Sequence, residues 1–343
     1  MADLTIDATP AQQAASARGL AFGLPNRWYP VLRSEELGAA PVPIRRFGEQ
    51  LVVWRAASGV SVIEDACPHR GAPLSRGRID GDAIACAYHG WRFDPSGACR
   101  SMPLEPTPNP RLERVRIRAW RAEERAGYIW MFYGEAARAT PLVIPSELED
   151  PARLHFKNEY YWRTNWVNVL DNVLDPLHAI YLHAGATTQK KRAKFKHFEI
   201  THDDATGFRL GKVGYRADGS VGAVEGEVEF LLPNVTRLSI ADGTEEGIYR
   251  VVILSTPIDD RNTCAYYVRS RKGFGMKRLK WRLWWALHRR AVHAVAAQDG
   301  EVLDGIAPVE EARARENLVS SDIGVVRLRR RLEREYAATQ TGI

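Results

Sequence analysis

Two short segments constrain this chain more than any other feature. They are Cys67-Pro68-His69 and Cys86-Ala87-Tyr88-His89, and sixteen residues separate the first histidine from the second cysteine. Each segment offers one thiolate and one imidazole. Two cysteines and two histidines in this order suit a 2Fe–2S cluster in which sulfur ligands bind one iron and nitrogen ligands bind the other. Because such a cluster passes single electrons, the sequence predicts an electron-transfer site.

Zinc is the alternative metal for a set of two cysteines and two histidines. The usual zinc arrangement places the two cysteines together and the two histidines together, whereas each segment here mixes the two residue types. The cluster is therefore the favoured interpretation. Its two segments are expected at the tips of two β-hairpin loops. The predicted cluster ligands are Cys67, His69, Cys86 and His89.

Residues 67–91, with the sequence CPHRGAPLSRGRIDGDAIACAYHGW, resemble the Rieske motif C-x-H-x₁₆-C-x₂-H. Respiratory Rieske proteins carry two further cysteines that form a disulfide across the loops. Ala72 and Tyr88 stand at the matching positions here. The resemblance therefore implies the oxygenase or ferredoxin type of Rieske cluster.

Composition and charge exclude several classes of protein. The 343 residues are 45% hydrophobic and 26% charged, which is ordinary for a globular protein, and the length suggests two domains. No uninterrupted apolar run approaches the ~18 residues of a membrane span, and the first residues do not resemble a secretory signal. Four cysteines, two of them in the paired motif, fit a reducing, cytoplasmic setting.

The net charge of +6 has two readings. The basic residues are spread over several segments and match no nucleic-acid-binding motif, so no nucleic-acid partner is predicted. A more specific use is electrostatic steering of an acidic electron donor toward the cluster. Four arginines flank the predicted ligands and would form that positive rim: Arg70, Arg76, Arg78 and Arg92.

The pattern of strands and helices predicts an α+β protein with three parts. Residues 1–24 are a loose lead, residues 25–138 an all-β domain of short strands, and residues 139–343 a second domain with an antiparallel sheet and a long helix. Within that second domain, prolines mark residues 139–157 as a connector, and Val224–Ile240 is one strand-like run.

Three helices are predicted in the second domain, at about Asn165–His183, Lys277–Ile306 and Asp322–Tyr336. The stretch 276–290 is both basic and aromatic, so it could be a helix that lies on a membrane surface. The favoured alternative is the start of the long helix, with its tryptophans facing inward and its lysines facing solvent.

The first of these helices carries a second metal motif. Asp175, His178 and His183 supply two histidines and one carboxylate, the set that holds an iron(II) ion with open positions for dioxygen. Asp175 and His178 are three residues apart and are expected on one helix face. His178 and His183 are five apart, about 140° out of line on an ideal helix, so the helix must be distorted or end between them. Pro176 and Gly185 make such an irregularity credible.

The run Asn172-x-x-Asp175-x-x-His178-x₄-His183 resembles the D-x₂-H-x₄-H motif of Rieske non-haem iron oxygenase α subunits. The resemblance implies that His178 and His183 bind iron and that Asn172 lies near it. It also implies that Asp175 is a bridge, which hydrogen-bonds His178 and the residue matching His89 in a neighbouring subunit of a ring-shaped trimer.

The resemblance places the third iron ligand late in the chain, on the long helix. Gln298-Asp299-Gly300-Glu301-Val302-Leu303-Asp304 matches that context best. Asp299 is the predicted ligand, and Glu301 and Asp304 are the alternatives.

Taken together, the resemblance covers about residues 28–336 and implies a helix-grip-like second domain. The activity it implies is the oxygenase component of a multicomponent system, in which NAD(P)H-derived electrons arrive through a reductase or ferredoxin. Dioxygen and a small organic substrate would then give hydroxylation, or O- or N-demethylation. The short chain resembles the homotrimeric branch. Two alternatives remain open, namely an oxidative cyclase or desaturase with the same metals, and an electron carrier without oxygenase chemistry.

Overall fold

The computed structural model describes residues 19–106, 109–183, 197–215, 221–241, 248–306 and 316–340. The chain divides into two compact units. One is Leu24–Val143, and the other combines Met1–Gly23 with Ile144–Ile343.

The loose lead predicted for residues 1–24 falls mainly on residues 1–18, which lie outside the described residues. The end of that segment is described. There the main-chain oxygen of Leu20 accepts a 2.7 Å hydrogen bond from the indole N–H of Trp166. Leu20 itself is buried, so this short piece of chain is part of the second unit's core.

The first unit is built from short antiparallel strands in three sheets. The strand orders are β1-β11-β10, β2-β3-β4-β9 and β5-β6-β7-β8. No α-helix occurs in this unit among its described residues, as the sequence predicts. The strands are β1 Arg27–Arg33, β2 Val42–Arg46, β3 Glu49–Ala56, β4 Gly59–Glu64, β5 Arg78–Asp80, β6 Ala83–Ala85, β7 Arg92–Phe93, β8 Cys99–Ser101, β9 Ala119–Trp120, β10 Ala122–Arg125 and β11 Tyr128–Tyr133.

Strand β3 separates two hydrophobic cores. Successive side chains of a strand point to opposite faces, and the central residues of β3 are apolar at every position. Leu51 and Val53 therefore join one core, while Val52 and Trp54 join the other. The second of these cores also contains the two motif cysteines, so the first unit's packing fixes their position.

In its described residues, the second unit contains one seven-stranded antiparallel sheet and four α-helices. The strand order is β12-β18-β17-β16-β15-β14-β13. The strands are β12 Arg153–Trp162, β13 His197–Asp203, β14 Gly207–Tyr215, β15 Val221–Leu231, β16 Val235–Ala241, β17 Ile248–Pro257 and β18 Thr263–Lys272. The helices are α1 Trp166–Leu174, α2 His178–Tyr181, α3 Met276–Asp304 and α4 Ile323–Gln340. The predicted α+β class, with an all-β first part followed by a sheet and a long helix, is confirmed.

Two boundary predictions in this unit are wrong. Residues 153–157 belong to strand β12, although the predicted connector included them. The run Val224–Ile240 is two strands, β15 and β16, joined by a tight turn. Strand β12 forms a continuous ladder with β18, and β15 pairs with β16. In both cases pairing with a neighbouring strand overrides the local sequence pattern.

Helix α3 packs its aromatic residues against the sheet. Trp281 is buried, and the ring of Trp285 stacks on Phe156 of β12 with 4.5 Å between centroids. Leu279, Leu283 and Leu287 are exposed instead. Among the helices of the described residues, none combines the length and apolar character that a membrane-spanning segment requires.

A buried ion pair fastens α4 to α1. The guanidinium of Arg329 donates to Oδ2 of Asp171 from Nη2 at 2.7 Å and from Nε at 3.0 Å. It also pairs with Glu316 at 2.9 Å. Burial disfavours the charged guanidinium, but the two carboxylates outweigh burial and raise the pKa of Arg329 above its ordinary value. The charge is therefore retained in the interior.

We expect Arg329→Ala to lower the free energy of unfolding by about 3–5 kcal/mol, because it leaves a buried carboxylate without its cation. The measurement is urea denaturation at neutral pH. Arg334→Ala is the matched control, since Arg334 is exposed on the same helix, and it should cost under about 0.5 kcal/mol. Equal losses in the two variants would contradict the role assigned to Arg329.

Candidate metal centres

The two motif loops of the first unit share one backbone conformation. In each, the cysteine N–H donates to the carbonyl five residues later, and the glycine four residues later donates back to the cysteine carbonyl. The bonds are Cys67 N to Ala72 O at 2.8 Å, Gly71 N to Cys67 O at 2.7 Å, Cys86 N to Trp91 O at 2.8 Å and Gly90 N to Cys86 O at 3.0 Å. Gly71 and Gly90 have φ of 72° and 73°, a region that favours glycine. The two loops therefore have nearly the same backbone conformation.

The hairpin prediction is correct for only one of these loops. The loop that carries Cys86 joins the paired strands β6 and β7. The loop that carries Cys67 joins β4 to β5, which belong to different sheets. This loop passes from one sheet to the next, so the strands on either side of it do not pair with each other.

The four motif side chains form a site that is buried at one end and open at the other. Cys67 and Cys86 are 2% and 1% exposed, and both are free thiols. His69 is exposed, and its Nδ1 lies 3.1 Å from Nδ1 of His89. Ring contacts fix both imidazoles, because Trp91 stacks on His69 at 4.6 Å and Tyr88 lies 3.9 Å from His89.

The protonation of these groups fits a metal cluster. Partial desolvation, together with the charges of His69 and Arg70, lowers the pKa of His89, which favours the neutral imidazole that metals bind. Burial raises the pKa of the Cys67 thiol to about 11. A buried thiol pair of this kind becomes a thiolate pair when a metal replaces its protons. Two inner sulfurs and two outer nitrogens match the mixed ligand set of the cluster.

In the second unit, helix α1 ends before the iron motif is complete. Asn165 caps its start, since its side chain accepts a 3.0 Å hydrogen bond from the N–H of Val167. The helix stops at Leu174 because Asp175 has φ −103° and ψ 88°. The carboxylate of Asp175 then accepts a 2.9 Å hydrogen bond from the N–H of Leu177.

The break corrects two expectations about this segment. The single helix expected over Asn165–His183 is two helices, and Asp175 and His178 do not share a helix face, because the break lies between them. The short helix α2 begins at His178 and ends before His183, as the five-residue spacing of these histidines requires.

Three side chains from distant parts of the second unit converge in its interior. Nε2 of His183 lies 3.1 Å from Oδ1 of Asp299, and Nε2 of His178 lies 3.5 Å from the same oxygen. One ligand atom from each residue falls within 4.8 Å of the others. Asp299 is 7% exposed and His183 is 4% exposed. Two of the three side chains are therefore shielded from water, the His178 side chain is 22% exposed, and the site is compact enough for one ion.

Hydrogen bonds at the far side of each imidazole decide which nitrogen faces the centre. Nδ1 of His178 contacts the main-chain oxygen of Asp175. Nδ1 of His183 lies 2.9 Å from the side-chain oxygen of Gln298. A carbonyl oxygen only accepts, so each Nδ1 carries the proton and each Nε2 presents a lone pair to Asp299. Two lone pairs and a carboxylate oxygen then face one point, an arrangement that a cation satisfies.

The carboxylate of Asp299 has its own support. Its side chain accepts a hydrogen bond from Asn172, and burial raises its pKa against the lowering effect of His178, His183 and Asn172. A cation at the site would offset that burial cost. The next residue, Gly300, leaves room for a ring, since a Cβ there would meet Nε1 of Trp162 at 3.1 Å.

The other predicted residues fall outside this convergence. Glu301 and Asp304 are both exposed, and Asp304 accepts a 3.1 Å hydrogen bond from the N–H of Arg163. The predicted contact between His178 and Asp175 is made by the main-chain oxygen, while the Asp175 carboxylate is turned to Leu177. Sequence reasoning missed the contact between Gln298 and His183, since a helical glutamine beside a motif carries no distinctive signal.

Comparison with known families matches both units. Residues 27–117 match the Rieske [2Fe-2S] domain, and residues 162–338 match the vanillate O-demethylase oxygenase C-terminal domain. The second match alone covers more than half of the chain.

Similar proteins point the same way. The chain is 39% identical to the vanillate O-demethylase oxygenase subunit of a Pseudomonas species over 147 residues, which are 42% of this chain and 43% of that protein. It is 27% identical to the phenoxybenzoate dioxygenase subunit alpha of Ectopseudomonas oleovorans over 96% of this chain and 85% of that one. The aligned part spans less than half the length of several curated relatives.

A solved structure shows the same fold over nearly the whole chain. The structure of NdmA from Pseudomonas putida CBB5 superposes with a TM-score of 0.76 and 22% identity, covering 95% of this chain and 93% of that one. With the cysteine–histidine loops of the first unit and the buried histidine–carboxylate cluster of the second, these matches show that the chain belongs to the Rieske oxygenase α-subunit family.

Proposed function

We propose that this protein is the oxygenase component of a multicomponent system that hydroxylates a small organic substrate with dioxygen. The observation that carries the proposal is the convergence of two imidazole lone pairs and the Asp299 carboxylate in a buried site. In this proposal residues 25–138 hold the cluster and residues 139–343 form the catalytic domain. Relatives named as O-demethylases and an N1-demethylase favour removal of a methyl group through hydroxylation.

The residues divide the work as follows. Cys67, His69, Cys86 and His89 would hold the 2Fe–2S cluster, and His178, His183 and Asp299 would hold iron(II). With both bound, the sites would supply single-electron transfer and dioxygen activation. Gln298 and the main-chain oxygen of Asp175 keep the imidazole protons on Nδ1 and so leave Nε2 available. Asn172 orients the carboxylate.

Electrons would enter at the exposed surface of the two cluster loops. A ferredoxin or a reductase fed by NAD(P)H is the proposed donor, and one related structure is titled as a complex of an oxygenase with ferredoxin. Arg70, Arg76 and Arg78 are exposed around the loops, whereas Arg92 pairs with Asp80 at 2.8 Å. The three exposed arginines would attract an acidic donor. Free thiols and NAD(P)H-fed chemistry fit a cytoplasmic setting.

The path from cluster to iron is proposed to cross a subunit boundary in a homotrimer. An electron would leave one chain at His89 and reach Asp175 of the next chain, which would pass it to His178 of that same chain. The exposed histidine end and the contact between Asp175 and His178 support this path.

Iron content separates an oxygenase from an electron carrier. We expect about three irons per chain in the wild-type protein, and about two in His178→Ala and Asp299→Ala with an unchanged cluster spectrum. The measurement is metal analysis beside visible absorption and electron paramagnetic resonance. His202→Ala is the control, since His202 is exposed, lies beside Asp204 and belongs to neither set of predicted ligands. Two irons in the wild-type protein would favour the carrier.

Gln298 is expected to act through His183. We expect Gln298→Leu to weaken iron binding roughly 10–100-fold, because the imidazole loses the acceptor that fixes its tautomer. Competition with a chelator measures this affinity. Glu301→Gln is the control on the same helix and should bind iron normally. An unchanged affinity in Gln298→Leu would rule out the positioning role.

Asp175 is tested by separating metal content from turnover. We expect Asp175→Asn to retain both metals and to lose most substrate-coupled dioxygen uptake, because the relay between subunits would be interrupted. Single-turnover reduction kinetics should show a slowed transfer of electrons from the cluster. Normal steady-state activity in this variant would remove Asp175 from the path.

A further inference from the structure

Arg269 is a buried cation on the face of the sheet that packs against α3. It lies on β18, two residues after Tyr267, so both side chains point to the same face. Only 5% of Arg269 is exposed. The mechanism proposed above does not use it.

Every described partner of Arg269 is neutral. Its Nη1 donates to Oδ1 of Asn158 at 3.1 Å, and the hydroxyl of Tyr160 is a further hydrogen-bond partner. The guanidinium carbon lies 5.0 Å from the ring centroid of Tyr267 and 5.9 Å from that of Trp285. Within the described ranges, no carboxylate pairs with this guanidinium.

The opposite face of the same sheet shows how this chain treats other buried charges. Glu147 is 3% exposed and pairs with Arg237 at 2.9 Å and with Arg250. Arg250 is cross-strand from Ser270, while Arg269 is cross-strand from Val251, so the two arginines face opposite sides. Buried charges on one face are therefore paired, and Arg269 on the other face has neutral neighbours.

A buried charge without a counter-ion is costly. Cation–π contacts return only about 0.5–2 kcal/mol each. Burial lowers the pKa of His293, and the nearby charges of Arg269 and Arg289 lower it further. His293 itself lies 2.7 Å from the Tyr160 hydroxyl. An anion at this place would relieve the unpaired charge.

The position relative to the predicted iron site suits a substrate. Tyr267 is close enough to Asp299 for that carboxylate to add to the effect of burial and raise the tyrosine pKa. On α3, His293 precedes Asp299 by six residues, which is about 9 Å along the helix axis. Tyr267 therefore links the two places, since Arg269 lies over its ring and Asp299 is near enough to influence its hydroxyl.

We propose that Arg269 binds the carboxylate of an anionic substrate and so directs the rest of the molecule toward His178, His183 and Asp299. The guanidinium would form two parallel N–H···O hydrogen bonds, with Asn158 and Tyr160 as neutral neighbours. This substrate class rests on the oxygenase function proposed above.

Binding to the metal-loaded, oxidised protein tests the proposal without turnover. The probes are benzoate, 4-methoxybenzoate and phenoxyacetate, each compared with its neutral amide by equilibrium dialysis. We expect the wild-type protein to bind at least one carboxylate more than about tenfold tighter than its amide, the scale of a charged hydrogen bond. Arg269→Met should bring that preference within twofold. Arg271→Met should keep it, since Arg271 lies over Trp281 further along the same face.

Thermal unfolding without ligand gives a second, independent measurement. Methionine keeps the packed stem and removes the unpaired charge, so Arg269→Met should unfold at or above the wild-type temperature. A saturating concentration of the bound carboxylate should raise the unfolding temperature of the wild-type protein and leave that of Arg269→Met unchanged. A drop of several degrees in unliganded Arg269→Met would show that Arg269 pairs within the chain, and would overturn the proposal.

A carboxylate preference retained by Arg269→Met, or absent from the wild-type protein for every probe, would also overturn it. The proposed function is judged separately, by iron content and dioxygen uptake. A protein that takes up dioxygen with neutral methoxyarenes and shows no carboxylate preference keeps the function and rejects the inference. A protein that binds carboxylates through Arg269 and lacks the third iron keeps the inference and rejects the function.

Discussion

The buried carboxylate of Asp299, facing the lone pairs of His178 and His183, is the constraint on which the second unit depends. These groups repel one another unless a cation lies among them, so other contacts must hold them together. The two ends of α2 supply the imidazoles, and α3, which stacks on the sheet, supplies the carboxylate. The ion pair between α4 and α1 steadies the helix that leads into the site. Folding thus places three donors that attract a metal more than they attract each other.

The first unit also holds metal-binding side chains close together, and it does so with two similar loops. Its cysteines belong to a hydrophobic core, while its histidines reach the solvent. The buried cysteine end excludes water from the sulfurs. The histidine end lies at the surface, where electrons would pass. Both loops have the same main-chain hydrogen bonds, although one loop joins strands of two different sheets and the other joins the paired strands of a hairpin. The loop conformation therefore does not depend on whether the flanking strands pair.

Spacing predicted the four loop residues, because the cluster needs those residue types at that interval. The fold class also followed from short alternating runs and a long amphipathic helix. A break was expected between His178 and His183, but a first break already lies at Asp175, where the following Pro176 disfavours helical backbone. Strand β12 was missed because prolines precede it and its partner β18 is more than a hundred residues away. The contacts of Gln298 and Arg269 are with residues distant in the chain, which a single sequence does not display.

The turn at Asp175 has a consequence for the proposed homotrimer. Its Oδ1 is already engaged by the N–H of Leu177, and its main-chain oxygen by His178. The side chain is therefore held in one rotamer by the isolated chain, before any other molecule approaches. Little side-chain entropy would be lost when a second protein met Oδ2. A short local turn would in this way prepare a docking contact in advance of the partner that completes it.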